Sequence, residues 1–345
     1  MEYRTLGRTG VKVSPICLGS DDFGDATPPE IAAKIIIRAL DGGINLIDTG
    51  NLYAEGESEK IIGKTLKDNN LRHQVIISTK VNHAPRKKGV SLDEYAPLMA
   101  PNTQGNSRLN IIRACELSLQ DLRTDYIDIF QIHRYYPEYH IEETLGALTD
   151  LVRQGKVRYI GCSTFPPWKV MQAIMLSEMK GYVRFISEES PYTLLDRRIE
   201  NELIPLAQEN GLGILGWAPL AHGMLLGFYS KEDEYPTGTR AAARGSFYAD
   251  RVSAKGIEVG TKFVKSAEEA GLTPAQLGVL WCKDQPGVTA PLIGPQKVEH
   301  LDDLIPVLEM TLSKELQDAC DNLVPPGSAV ANFHNTAGWM KEQLL

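Results

Sequence analysis

The chain has 345 residues, 43% of them hydrophobic, enough for one large α/β barrel or two ordinary domains, and composition alone does not choose between these. A net charge of -8 and a pI near 5.5 argue against a nucleic-acid partner; Arg86-Lys87-Lys88, between Pro85 and Gly89, is the nearest approach to a basic run and reads as a solvated loop able to meet an anionic ligand. Five widely spaced cysteines without a C-x-x-C pair predict reduced thiols in a cytoplasmic protein with no zinc site or disulfide framework, and no apolar run is long enough for a signal peptide or a membrane span.

Residues 3–13 read as two short strands around Gly7-Arg8-Thr9-Gly10, a hairpin outside the pattern that follows. From Ile16 onward short apolar runs alternate with helical spacing. Strands are expected at 16–18, 44–48, 75–79, 126–132, 159–162, 183–188, 212–217 and 289–293. Helices are expected between them at 28–40, 58–66, 108–122, 141–153, 167–175, 199–209, 256–269 and 274–283. Such alternation means parallel strands with helical crossovers, and eight units in one chain make residues 1–345 a single (β/α)8 TIM barrel with an N-terminal hairpin. Two segments, 83–107 and 221–254, exceed ordinary loop length; both follow strands, so both should overhang the barrel mouth. The tail from Pro325 carries Phe333, His334 and Trp339 and is expected to dock on the barrel. Gly211-Leu-Gly-Ile-Leu-Gly216 matches the dinucleotide fingerprint of doubly wound folds, but here the glycines end a helix and run into a strand, the reverse of what that fingerprint requires.

Chemistry in a barrel of this kind collects at the C-terminal ends of the strands. Asp48 ends the second barrel strand, Lys80 follows the third and His133 the fourth, with Tyr53 five residues beyond Asp48. Each taken singly is an ordinary residue. Together they form a unit in which Lys80 would lower the phenol pKa of Tyr53 from its usual value of about 10 and Asp48 would keep Lys80 charged.

Those residues lie in INLIDTGNLYAEGESEKIIG, STKV and LRTDYIDIFQIH; with GKVRYIGCST and LLDRRIENELIPLAQENGLGILGWAPLAHGMLLG they resemble the aldo-keto reductase superfamily over nearly the whole chain. The likeness is to bacterial and fungal members, in the branch that includes channel β-subunit-like reductases. The resemblance implies a nicotinamide-dependent oxidoreductase, with Tyr53 as general acid or base, Asp48 and Lys80 tuning it, and His133 orienting a carbonyl. It also implies that Ser163, Thr164 and Glu189 hold the nicotinamide amide, with Thr in place of the family's Asn and Glu in place of its Gln. Trp217 would stack on the ring, and Pro219, Leu220, His222 and Gly223 would line the pyrophosphate.

At the adenosine end, Gly294, Gln296, Lys297, His300 and Asp303 occupy the family's positions, with Leu304 where Asn is usual. NADP(H) is implied ahead of NAD(H), its 2′-phosphate left to Lys297, His300 or a residue from a loop. Asp21 and Asp22, after the first barrel strand, are candidates for binding substrate hydroxyls; Tyr135, Tyr136, Phe165 and Trp168 are candidates for an aromatic substrate wall. The expected partner is a small carbonyl or sugar substrate. Two further readings are a non-catalytic cofactor-sensing subunit and an epimerase that retains its nicotinamide.

Overall fold

The computed structural model describes residues 1–81 and 102–337. Arg86-Lys87-Lys88, most of the first long loop and Trp339 lie outside the described residues.

Strands β1 (Arg4–Thr5) and β2 (Lys12–Val13) form the antiparallel hairpin. The barrel strands follow as β3 (Cys17–Gly19), β4 (Leu46–Asp48), β5 (Ile76–Val81), β6 (Ile127–Ile132), β7 (Val157–Ser163), β8 (Phe185–Pro191), β9 (Gly213–Trp217) and β10 (Val288–Ile293). They pair in parallel, each with the next in sequence, and β10 closes on β3. The crossovers are α1 (Pro29–Asp41), α2 (Glu57–Asp68), α3 (Arg108–Asp121), α4 (Ile141–Arg153), α5 (Pro167–Lys180), α6 (Leu203–Asn210), α9 (Ala254–Glu269) and α10 (Pro274–Lys283). Between β9 and α9 the second long loop carries two short helices, α7 (Arg240–Arg244) and α8 (Ser246–Ala249); α11 (Val298–Leu304) and α12 (Lys314–Leu323) complete the chain.

Of the boundaries that differ from expectation, two have clear local reasons. The helix expected from 199 begins only at Leu203, after a separate 3₁₀ turn at Arg198–Glu200. Pro205 has no N–H to give the carbonyl four residues back and its ring clashes there, so it is tolerated only in a first turn. Helix α5 runs five residues past the expected end, to Lys180, where Gly181 takes up the left-handed conformation (φ 67°) that closes it.

Two apolar cores result. One lies between the sheet and its helices; the other fills the barrel, with Leu46, Ile129, Ile186, Leu215 and Ala290 joined by Leu6 from the hairpin. The hairpin therefore stoppers the base. Gly7 makes the fit possible, since its φ of +55° suits glycine and a Cβ there would sit 2.5 Å from the Ile186 carbonyl oxygen and 2.7 Å from that of Gly211. The tail docks as expected: Phe333 is buried, its N–H donates to Asp196 at 2.8 Å, and His334 Nδ1 lies 3.2 Å from the same carboxylate.

All five cysteines are buried and unpaired. Among the described residues no helix is long and apolar enough to cross a membrane, and no group of three or more His, Cys, Asp or Glu is placed to hold a metal.

Candidate active site

A cleft of about 1740 Å³ opens at the C-terminal ends of the strands, far larger than the base pocket around Arg4 and Lys283 and the size of site a dinucleotide and a small substrate need. Asp48, Tyr53, His133, Glu189 and Trp217 all line it.

Parallel register brings Asp48 opposite Ser78, two residues before Lys80, so the lysine is delivered to the carboxylate from the adjacent strand. Lys80 is fully buried and donates to Asp48 Oδ2, to the Thr49 carbonyl at 3.0 Å and to the Tyr53 phenol oxygen at 3.1 Å. Tyr53 follows a turn in which its N–H bonds Gly50, and Ala54 and Glu55 beyond it are left-handed (φ 47° and 62°). Strain of this kind persists only where surrounding packing enforces it, and it collects at functional sites. His133 presents its ring edge-on to Tyr53, centroids 5.8 Å apart and planes at 79°. The four residues that the sequence marks as a unit are thus in contact.

Glu189 is placed differently from its expected role. Its Oε1 lies 3.3 Å from Lys80 Nζ and its Oε2 accepts from Gln131 Nε2 at 2.9 Å. Gln131 in turn donates to Ser78 Oγ at 2.8 Å and to Asp48 Oδ1 at 3.4 Å. Two carboxylates therefore surround one ammonium.

The consequence for Tyr53 reverses the sequence expectation. Burial, aided by Asp48 and Glu189, pushes the phenol well above its ordinary value, and Lys80 offsets only part of that. Burial alone would lower Lys80, but Asp48 and Glu189 hold its ammonium well above its usual range. The neighbouring Glu188 faces away, accepting from the Phe165 N–H and Ser190 Oγ; burial raises it to about 8.

Ser163 Oγ and the Thr164 N–H both bond the Glu189 carbonyl at 2.9 Å, while Arg134 Nη1 donates to Ser163 Oγ, Thr164 Oγ1 and the His133 carbonyl at 3.3, 3.2 and 2.7 Å. Trp217, at the end of β9, stacks with His222 (6.4 Å, 17°). From there Pro219, Leu220, His222 and Gly223 line the wall, and Ala218, Ala221 and His222 are all left-handed (φ 60°, 50° and 52°). The His222 Nδ1 is buried with no hydrogen-bond partner. Burial and the nearby Arg251 hold this ring well below its usual pKa, so it stays neutral. An orphaned polar atom on a strained wall is what a bound polar ligand would satisfy, and the wall fits a nicotinamide dinucleotide.

Gly294, Gln296, His300 and Asp303 line the far end; Lys297 is exposed and lies off the cleft lining. Asp21 and Asp22 are committed to arginines rather than open to a substrate. Arg240 donates to Asp21 and Asp22 at 2.7 and 2.8 Å, Arg244 to the same pair at 2.7 and 2.9 Å, and Gln296 to Asp22 at 3.0 Å. Burial would raise Asp21, but Arg244 and Arg240 hold it far below the usual carboxylate range. This clasp ties the second long loop across the mouth to the segment after β3.

Of the expected aromatic wall, Tyr136 lines the cleft. Tyr135 and Trp168 do not: they pack on each other at 6.4 Å and, through Tyr135, on Phe165, with Trp168 55% exposed on the outer face. Beyond the end of β6 the chain buries Tyr135 against Phe165 and Trp168 while Tyr136 reaches the cleft. Sequence reasoning missed Gln131, Arg134, Arg240, Arg244 and Arg251. For Gln131 the signal was available, since an amide inside an otherwise apolar buried strand must find partners.

Comparison with known proteins agrees with this geometry. Residues 15–325 match the model of the aldo/keto reductase family. An oxidoreductase of Bacillus subtilis, YrpG, is 36% identical over 338 residues, covering 95% of this chain and 97% of the relative. A putative aryl-alcohol dehydrogenase of Schizosaccharomyces pombe is 34% identical over 341 residues (91% and 93%), and the versiconal hemiacetal acetate reductase of Aspergillus parasiticus 30% over 330 residues (91% and 94%). With its closed barrel, its strand-end cleft and a match over most of its length, the chain belongs to the aldo/keto reductase family and is an oxidoreductase.

Proposed function

We propose that this oxidoreductase interconverts an aldehyde or ketone and the matching alcohol, with NADP(H) preferred to NAD(H) and Tyr53 passing the proton. The observation that carries this reading is the Lys80 ammonium, 3.1 Å from the Tyr53 oxygen and held there by Asp48 and Glu189. The nicotinamide supplies or accepts the hydride when bound. Reduction places negative charge on the carbonyl oxygen; Tyr53, kept protonated by burial, gives it a proton, and Lys80 stabilises the phenolate left behind. His133, edge-on to the phenol, orients the carbonyl. A positioned donor of this kind contributes about a hundred- to ten-thousandfold.

Preference for NADP(H) is supported by Arg240 and Arg244, which Asp22 and Gln296 hold beside the adenosine end as fork donors that a 2′-phosphate could share with Asp21 and Asp22. Small aromatic carbonyls are the first substrates to try, given the cleft's Tyr136, Trp217, Phe247 and Tyr248 and the aryl-alcohol dehydrogenase name of the Schizosaccharomyces relative. The sugar reading loses the support of Asp21 and Asp22. The test is titration of tryptophan fluorescence with NADPH and NADH, followed by turnover of benzaldehyde read at the reduced nicotinamide band. NADPH binding tighter than NADH binding, with turnover, is the expected result. Binding without turnover of benzaldehyde, an aliphatic aldehyde or a ketone would instead favour a cofactor-sensing role.

The second carboxylate gives a further expectation. Glu189→Gln removes a negative charge that raises Tyr53, so the alkaline limb of the reductive pH profile should move to lower pH by about one unit or more. An unmoved limb would mean that Glu189 does not communicate with the phenol through Lys80.

A further inference from the structure

Arg134, Arg240, Arg244 and Arg251 all line the cleft. Arg240 and Arg244 are neutralised by Asp21 and Asp22, and Arg134 bonds Ser163, Thr164 and the His133 carbonyl. Arg251 differs from Arg240 and Arg244. It is 3% exposed, and its hydrogen bonds go to neutral acceptors: Nε to Asn335 Oδ1 at 2.9 Å and Nη2 to Thr336 Oγ1 at 3.4 Å. Among the described residues it forms no ion pair with a carboxylate. Aromatic rings enclose the rest of the guanidinium, with Trp217, Phe247, Tyr248 and Phe333 centroids at 5.1, 5.1, 5.3 and 5.4 Å.

A buried cation with no counter-ion is costly, and aromatic faces offset only part of that cost. The strain is visible in its acidity: burial lowers the Arg251 guanidinium to about 10, Arg134 and Arg240 adding to the effect and Tyr248 and Asp196 opposing it only in part. An anion bound in the cleft would relieve it. Position indicates which one. Arg251 stands over Trp217 at the end of β9, its guanidinium 5.1 Å from the ring centroid. The arginines tied through Asp22 to Gln296, at the far end, are Arg240 and Arg244. The unpaired charge therefore belongs to the end of the cleft where the carbonyl would react.

We propose that Arg251 is a specificity-determining residue that pairs with a carboxylate on the carbonyl substrate, so that the preferred substrates are oxo-acids rather than neutral aldehydes or ketones. The inference rests on the carbonyl-reductase reading given above. The carboxylate takes no part in bond making; the guanidinium fork receives it, leaving the carbonyl carbon for hydride and its oxygen for the Tyr53 proton. The carboxylate also displaces no acidic side chain, because among the described residues the guanidinium bonds only the Asn335 and Thr336 side chains.

The test compares 4-formylbenzoate with benzaldehyde, equal in reacting group and differing in charge, using wild-type protein, Arg251→Gln and Arg251→Lys. The wild type should favour 4-formylbenzoate in kcat/KM by at least tenfold, mostly through KM; Arg251→Gln should erase that ratio and Arg251→Lys should restore part of it. NADPH affinity, read by tryptophan quenching, and benzoate affinity, read by calorimetry, are measured on the same proteins. A benzoate affinity that falls at least tenfold in Arg251→Gln supports the proposal whether or not turnover is seen, so a failed reductase reading remains distinguishable. Equal losses for both aldehydes would overturn it, leaving Arg251 as a brace for Trp217. A weakening confined to NADPH would overturn it in favour of a cofactor phosphate, and benzoate binding indifferent to Arg251 would overturn it outright.

Discussion

Replacing Tyr53 with Phe is expected to lower turnover by at least a hundredfold while changing NADPH affinity less than threefold. The ring, its edge contact with His133 and its packing against the Lys80 ammonium all survive the change, because Phe keeps every carbon of the ring. What disappears is the oxygen that accepts from Lys80 and that we propose as the source of the substrate's proton. The loss should fall on kcat, since the interaction matters as charge develops and not when substrate binds. Removal of an acid worth about a hundred- to ten-thousandfold sets the scale. Full turnover by Tyr53→Phe, measured at the pH optimum of the wild type, would eliminate the phenol as proton donor and return attention to His133.

The largest loss of stability is expected from Arg197→Met. Arg197 side-chain exposure is 2%, and its guanidinium bonds Glu200 at 2.7 and 3.1 Å, Asp321 at 2.6 Å and the Val324 carbonyl at 2.7 Å, over the face of Trp281. It joins the turn after β8 to α12 and the start of the tail. Methionine fills much of the space but leaves Glu200 and Asp321 without their cation and a carbonyl without its donor. Breaking a buried pair from one side costs about 3–5 kcal/mol, and because Asp321 is 30% exposed the low end of that range applies. Urea unfolding should show a lower midpoint at unchanged slope. A change under about 1 kcal/mol would mean that Phe333 and His334 hold the tail without help.

The barrel was legible because each crossover obeys a short-range rule. Buried parallel strands are short apolar runs, and α4 and α10 begin and end within a residue of their expected limits because polar and glycine residues punctuate them. Asp48, Lys80 and His133 were legible for the same reason, since strand ends locate them on one rim. The direction of the Tyr53 shift was not, because it depends on how completely the phenol is buried and on Glu189, which approaches Lys80 from a strand that is not its neighbour. Nor was the clasp: Asp22 and Arg244 stand 222 residues apart, and charge pairing across a cleft leaves no local pattern. Tyr135 and Tyr136 show the limit most simply. Adjacent residues past a strand end face opposite sides, and only a fixed backbone says which faces in.

The hairpin that stoppers the base separates the molecule into two ends that can be altered independently. Gly10, at its tip, is exposed, and a side chain added there would meet nothing within 4 Å. A linker attached at that point would anchor the protein to a surface with its mouth turned away from the support. Immobilisation chemistry, reporter dyes and affinity handles can therefore be engineered at one pole while catalysis is assayed undisturbed at the other.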